Sequence, residues 1–470
     1  MPIRPEWLWS DVIVWSMVAA AVILSLRVRR SLPQRAAWAR VGQSAAGMAA
    51  ATVLAAFVAV GLLDSLHFRE AAGTRDGKVV YGGELRSALD ALLRPLRERR
   101  ERTYSAPLAT RAYAKETVQI EGVEQRVYPR LIYGGAHLRD ESERWQDVGS
   151  RAAGGAFAAA VIWLSLVMLL CLMLARRENA GVAVMWRRLW SGHLPLQWRA
   201  IMITAGLIML VAGPVCALAP HYHVLGTDKI GQDVLYQALK SIRTGLVIGT
   251  VATLVMLPVA VVLGLMAGYF KGWVDDLIQY CYTTLSSIPG VLLIVATVLM
   301  MQVFIENHVH WFTSVETRAD VRLLALCAVL GMTSWTGLCR LLRGEALKLR
   351  ELEFVQAARA FGVSHPRILL RHLLPNVMPV VLIALVMDFS GLVLAEAVLS
   401  YVGVGVDPST VSFGTMINAA RLEMAREPMV WWALAAAFGF MLTLVLSANL
   451  FADAVRDAFD PRLRFAGGRA

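Results

Sequence analysis

EFVQAARAFGVSHPRILLRHLLPN, residues Glu353 to Asn376, is a charged stretch rich in small residues that lies between two long apolar segments. Its reading decides the fold. Arg350 to Phe361 contains good helix formers, and Ala357 and Ala358 give that helix a face small enough to lie close against another protein. Gly362 suits the left-handed position that ends a helix. Ser364 is a natural N-cap for a second helix, with Pro366 in its first turn, where a missing amide hydrogen costs little. Pro375 is expected to bend the chain into the next apolar segment. The stretch therefore predicts a helix, a turn and a helix held at a membrane face. The bland alternative is an ordinary connection between two spans.

The flanking segments belong to a chain of 470 residues that is 57% hydrophobic and 17% charged. Soluble domains average about 25% charged residues. Val41–Leu63, Ala152–Ala175, Ile201–Ala219, Thr244–Phe270 and Leu277–Ile305 contain no Asp, Glu, Lys or Arg. A helix needs roughly 20 apolar residues to cross a bilayer core. Trp7–Leu26, Leu323–Cys339, Asn376–Tyr401 and Pro428–Ala452 complete a count of nine spans. The first lacks a basic leader and a small-residue cleavage site, so it is expected to be a retained anchor.

The net charge of +11 would suit nucleic acid, but its distribution argues for topology instead. With the N-terminus outside, the short inner loops hold 22 Lys and Arg and the short outer segments eight. That bias orients the chain with its C-terminus and the Glu353–Asn376 stretch in the cytoplasm. Residues 64–150 form a long polar insert on the outer side, where translocation is largely indifferent to charge. Within it, Gly83–Thr103 predicts an amphipathic helix bent or ended at Pro95, and Thr117–Ile120 with Gln125–Tyr128 predicts a hairpin. The insert reads either as an outer docking surface or as a partly ordered loop on the membrane domain.

No catalytic constellation is evident: there is no HExxH, no GxSxG and no GxxxxGK[ST] phosphate loop. The five cysteines fall in or at the ends of apolar spans and read as small core residues. His221 and His223 could ligate a metal, but no third ligand is evident, and no metal is expected. Asp388 stands in mid-span, where a carboxylate costs roughly 3 kcal/mol to insert and usually faces a cavity or a partner. It reads as a pathway residue or as a packed polar contact within the bundle; Glu396, nearer the outer end, reads as structural before pathway.

The Glu353–Asn376 stretch resembles the cytoplasmic EAA loop of ABC-importer permeases, E-A-A-x3-G-x9-I-x-L-P. Gln356-Ala357-Ala358, Gly362 and Leu374-Pro375 occupy the pattern, with Gln356 for its Glu and His372 for its Ile. His223–Leu235 is similar to the HPLGTDxxGRDVL segment of the dipeptide/oligopeptide/nickel subfamily. Gly226, Thr227, Asp228, Gly231 and Asp233 match it; Val224 and Gln232 depart from it. Further matches are Ala267–Phe270 with Gly272–Asp275, Ser287–Gly290, Arg343–Glu345, Leu394–Ala397 through Gly403–Gly405, and Arg456–Arg462.

The resemblance covers about 201–463 and implies an all-α polytopic membrane protein. Its six-span permease core would carry the coupling loop at 344–375. Residues 1–63 would add two extra spans, 64–150 the insert, 151–200 a third extra span with a cytoplasmic linker, and 464–470 a cytoplasmic tail. It implies a non-enzymatic transport subunit in a bacterial inner membrane. Its partners would be a second permease subunit, two cytoplasmic ATPases that bind ATP and Mg, and an extracytoplasmic solute-binding protein; this chain itself would bind no cofactor. In that family the loop, here Glu353, Gln356, Ala357, Ala358, Gly362, Leu374 and Pro375, docks an ATPase and carries its motion into the spans as a lever. The cargo would be peptides, with nickel or another small solute as the alternative. A membrane-embedded hydrolase lacks its motifs here, and a scaffold that holds an outer partner through 64–150 stays open.

Overall fold

A computed structural model describes residues 3–30, 32–75, 78–120, 123–192, 194–312 and 314–459. The end of the Arg456–Arg462 motif and the tail at 464–470 lie outside the described residues. In chain order the structure runs β1 (Ile3–Pro5), α1 (Trp9–Arg30), α2 (Leu32–Gln43), α3 (Ala45–Asp64), β2 (His67–Arg75), β3 (Lys78–Tyr81) and β4 (Arg86–Ser87). The rest of the insert holds α4 (Ala88–Leu92), α5 (Arg94–Glu98), β5 (Glu116–Ile120) and β6 (Val123–Val127). Then come α6 (Arg144–Glu178), α7 (Val182–Ser191), α8 (Trp198–Leu218), α9 (Val234–Phe270), α10 (Trp273–Ser287), α11 (Gly290–Asn307) and α12 (Val315–Arg350). The chain closes with α13 (Glu353–Ala360), α14 (His365–Ile368), α15 (Leu374–Val402), α16 (Phe413–Glu423) and α17 (Trp432–Phe459). Among the described residues nine helical stretches are long and apolar enough to cross a membrane, as the charge-free runs lead one to expect.

Two of those runs are not single helices. Leu277–Ile305 is expected to be one span, but α10 ends at Ser287, Ile288 is extended, and α11 starts after Pro289. Proline has no amide hydrogen and disfavours helical backbone in the residue before it, so Ile288-Pro289 breaks the run. Only α11 is long and apolar enough to span. Asp275, Ile278 and Tyr282 are the buried side of α10. The run Val41–Leu63 is interrupted at Ser44, whose hydroxyl accepts the Gly47 amide at 3.1 Å and starts α3 afresh.

The chain forms two compact units. The first comprises Met1–Trp7, Arg27–Thr244 and Val411–Ser447. It holds a sheet in which β1, from the N-terminal end, pairs β2 of the insert, β2 pairs β3 and β4 pairs β2, all antiparallel. The expected hairpin is present as β5 and β6, with Thr117 opposite Arg126. The expected helix at Gly83–Thr103 is broken into α4 and α5. Ser87 and Asp90 form a reciprocal cap on α4, and Pro95 sits in the first turn of α5. In the membrane part, α6 lies against α8 through Gly155 and Gly213. A Cβ on Gly155 would fall 2.5 Å from the Gly213 carbonyl oxygen, so only hydrogen permits the approach. Trp163 of α6 seals the crossing by donating its indole N–H to the Met202 carbonyl at 2.8 Å.

The second unit comprises Leu8–Leu26, Gly245–Thr410 and Ala448–Ala470. Here α9 and α12 pack closely: Gly264 meets the Cys339 carbonyl and Leu342, and Gly268 meets Ala346. Cys327 and Cys339 are fully buried in this unit and Cys171 in the first, as core residues should be; Cys216 and Cys281 instead lie exposed on helix surfaces. All five are free thiols.

Candidate functional site

The Glu353–Asn376 stretch folds onto the ends of α9, α10 and α12 in the second unit. Gly362 adopts φ +72° and ends α13, and the Val363 amide reaches back to the Ala358 carbonyl at 3.0 Å. Ser364 stands at the N-cap of α14 without a side-chain capping bond. Val355, Ala358, Ile368 and Leu373 are buried in one core with Tyr269, Leu342 and Ala346. Tyr269 is the centre of this joint. Its hydroxyl pairs with His365 Nδ1 at 2.8 Å, its carbonyl accepts from Arg350 Nη1 at 2.8 Å, and the Arg359 guanidinium stacks 5.3 Å from its ring centre. Arg343 and Asp275, both in motif segments, form a two-pronged pair at 2.6 and 2.7 Å. The Arg343 guanidinium holds the Asp275 carboxyl below its ordinary range.

Pro375 does not interrupt the helix. Leu369–Leu373 wind as a π turn, and the Leu374 amide bonds the Leu369 carbonyl. Pro375 then sits in the first turn of α15, so the missing amide falls where the winding has already changed. From His365 to Val402 the chain is one helical stretch of 38 residues.

The outward side of the stretch is open. Glu353, Gln356, Ala357 and Pro375 are exposed, and Leu374 is half-buried. The Gln356 amide turns back to the Glu351 carbonyl at 3.2 Å. Sequence reasoning singled out the small residues here and missed the aromatic ones. Phe361 is 86% exposed and Leu370 66%, and Phe354 is also uncovered. The signal was available: two Phe in a loop with no apolar periodicity to bury them.

The His223–Leu235 motif lies in the first unit and serves as the seat of the insert. Gly226 and Gly231 both have positive φ, and a Cβ on either would strike the backbone of the insert, at Ser105 and Glu101 respectively. Thr227 Oγ1 accepts the Ser105 amide at 2.7 Å and donates to the Thr103 carbonyl at 3.0 Å. Asp228 closes its own turn by accepting the Ile230 and Gln232 amides, both at 2.9 Å. Asp233 caps the start of α9 through the Leu235 amide at 2.8 Å and holds His223 Nδ1 at 2.7 Å. The other face of that buried imidazole meets Glu101 Oε1 at 3.4 Å. Glu101 in turn accepts the amides of Ile132, Tyr133 and Gly134.

Burial opposes ionisation of both His223 and Glu101, and the hydrogen bonds outweigh it. The Glu101 carboxyl is lowered to about 2 by His223 and the three amides. The His223 imidazole is raised to about 9 by Asp233 and Glu101. The Glu101 contribution is therefore whole above the ordinary 4.5 and lost as pH falls through about 2; that of His223 is whole below 6.5 and lost as pH rises through about 9. Limited proteolysis of the insert should accelerate at both extremes. Glu101→Gln should flatten the acid limb and His223→Gln the alkaline one; limbs unchanged in both variants would refute this clamp.

A second polar joint ties the insert and α3 to α9. Lys240 Nζ bonds Asp64 Oδ1 at 2.7 Å and Asp90 Oδ2 at 3.0 Å, and Tyr236 donates to Asp90 Oδ1 at 2.7 Å. Ser87 donates to Asp64 at 2.6 Å. Asp64 and Asp90 are both buried.

His221 and His223 do not face one ligand. His221 stacks near His137 and contacts Arg151 Nη1 at 3.1 Å. Among the described residues no group of three or more His, Cys, Asp or Glu is placed to hold a metal ion. Glu396 is buried and accepts the Ser400 hydroxyl at 2.7 Å. Asp388 is half-buried and makes no hydrogen bond or ion pair among the described residues. It lies in line with the exposed Leu385, Gly391, Leu394 and Val398, at helical steps of three and four.

Among the described residues, nine helical stretches long and apolar enough to span, with a helical joint pinned at helix ends, define a polytopic membrane protein. Residues 260–465 match the family described as binding-protein-dependent transport system inner membrane component. The oligopeptide transport system permease protein OppC of Mycobacterium tuberculosis is 31% identical over 242 residues, covering 52% of this chain and 77% of its own length. The glutathione transport system permease protein GsiD of Pectobacterium atrosepticum is 29% identical over 323 residues, covering 64% of this chain and 99% of its own. The dipeptide transport system permease protein DppC of Bacillus subtilis is 27% identical over 295 residues, covering 59% and 85%. The chain belongs to this family of inner-membrane transport permeases, with additional helices at its N-terminal end.

Proposed function

We propose that the chain is one of two permease subunits of an ATP-driven importer of peptides or peptide-like solutes. The joint at Tyr269 carries this reading. It fixes α13 and α14 rigidly to three other helices while Phe354, Phe361 and Leu370 stay uncovered. Such a surface suits an aromatic-anchored partner. The partner is a cytoplasmic ATPase that supplies ATP and Mg, with the loop inside the cell, the N-terminus outside and the C-terminus in the cytoplasm. The insert at 64–150 faces an extracytoplasmic binding protein. This chain holds no cofactor and catalyses no reaction of its own. Oligopeptide, dipeptide and glutathione, named for its relatives, set the cargo class. The test is purification of the intact complex, then ATP-dependent uptake of a labelled tripeptide in proteoliposomes. Absence of an ATPase from the complex, or of ATP dependence from uptake, would sink the reading.

Asp388 lines the pathway and meets the cationic amino terminus of the cargo. Its place on an uncovered helix face, without a partner among the described residues, supports this. One charge-assisted hydrogen bond is worth about 1.5–3 kcal/mol. Asp388→Asn should therefore raise KM for a free tripeptide by about tenfold or more and leave an N-acetylated one unchanged. Equal effects on both peptides, or none on either, would assign Asp388 to packing.

A further inference from the structure

The end of the first unit away from the insert carries a charge pattern that neither transport nor coupling uses. The insert begins where α3 ends and ends where α6 begins, so Ser44 and Glu178 mark the opposite end of those helices. Two short helices lie there. Helix α2 buries Ala37 and Val41, and the Gly42 carbonyl accepts the Gln197 amide at 2.8 Å, which ties it to the start of α8. Helix α7 buries Met185 and Leu189 against Val167, Cys171 and Ala175 of α6. Each helix is thus clamped by its inner face, and its outer face is fixed in direction.

Those outer faces are basic and aromatic. Segments 27–44 and 176–200 contain ten arginines, no lysine, and Glu178 as their one acidic residue. Arg187 and Arg188 are exposed beside Trp186, which is 37% exposed, and Trp38 on α2 is 38% exposed. Glu178 is already paired with Arg188 at 3.1 Å. Orientation in the membrane requires positive charge in these loops but not its placement on clamped amphipathic helices. Guanidinium groups grip phosphate oxygens with a planar fork, and tryptophans settle at headgroup level.

We propose that α2 and α7 form a binding surface for anionic phospholipid: the arginines pair with headgroup phosphates of the adjoining leaflet while Trp38 and Trp186 rest among the glycerol backbones. Through Leu189 and Gln197 this lipid contact braces the packing of α6 on α8.

The test uses the full chain in nanodiscs of phosphatidylcholine alone or mixed with phosphatidylglycerol. The unfolding midpoint should rise by several degrees with phosphatidylglycerol and fall back with added salt. Combined Arg35→Gln and Arg187→Gln, one from each exposed helix face, should remove most of that rise without changing the midpoint in phosphatidylcholine; the Arg→Lys pair should keep about half of it, as charge without the fork. If the Gln pair does not fold, Trp186→Ala replaces it, read as loss of phosphatidylglycerol retained in native mass spectrometry. Equal midpoints in both lipids, or a rise that survives charge removal, would overturn the proposal. So would an equal rise in phosphatidylcholine on adding inorganic phosphate, which would mark a simple anion site.

Discussion

Lys240→Met is expected to cost roughly 3–5 kcal/mol of stability, because it strands two buried carboxylates around a vacated cation. Asp64 closes α3, Asp90 belongs to the insert, and Lys240 lies on α9; the ammonium is their common counter-charge. For Asp90 burial favours the neutral acid, while Lys240 and the Ser87 amide hold the carboxyl below its ordinary range; removing Lys240 takes away the larger of these two and leaves the burial opposed by less. The thermal midpoint of the detergent-solubilised chain should fall steeply, and proteolysis within 64–150 should rise with it. Adding Asp64→Asn and Asp90→Asn to Lys240→Met should recover much of the loss, since uncharged partners need no cation. Failure of that rescue would mean that Lys240 acts through packing of its stem rather than through charge.

The second large effect concerns the open side of Glu353–Asn376, the proposed ATPase seat. Phe361→Ala should reduce ATP-coupled uptake by at least about tenfold, since aromatic anchors at interfaces are commonly worth 2 kcal/mol or more. The chain itself should be no less stable, because the ring is 86% exposed and supports no core. Gln356→Glu should change uptake far less: its side chain lies back on the Glu351 carbonyl. The measurement is uptake in proteoliposomes together with ATPase retained on the purified complex. Full coupling in Phe361→Ala would move the docking contact elsewhere on the loop.

The spans were legible because charge-free length is a direct consequence of the bilayer, and that signal survives any tertiary arrangement. The helix ends were not, since Ile288-Pro289 and Ser44 cut runs that composition alone leaves whole. Gly362 could be placed because a left-handed helix end has one favoured residue. Pro375 could not, because whether a proline bends a helix depends on the winding before it. The sheet of the insert was also hidden. HFREAAGTR lacks the alternation of a half-buried strand, and only Asp76-Gly77 hinted at a turn. The glycines and carboxylates of His223–Leu235 were visible as a pattern, but their partners Glu101 and Ser105 lie more than a hundred residues away in sequence.

The π turn at Leu369–Leu373 sets a phase as well as a path. It seats one residue more than α winding would in the same rise. Each residue of an α-helix turns the axis by about 100°. Removing one residue there would let the segment relax to α winding with its phase kept; relaxing with every residue kept would swing everything beyond it by about that angle relative to α13. Asp388 and the exposed line from Leu385 to Val398 would then point toward what is now the packed side of α15, where Val393 and Ala397 lie. That short wide turn is the timing gear of the helix, aligning the teeth at one end with the face presented at the other.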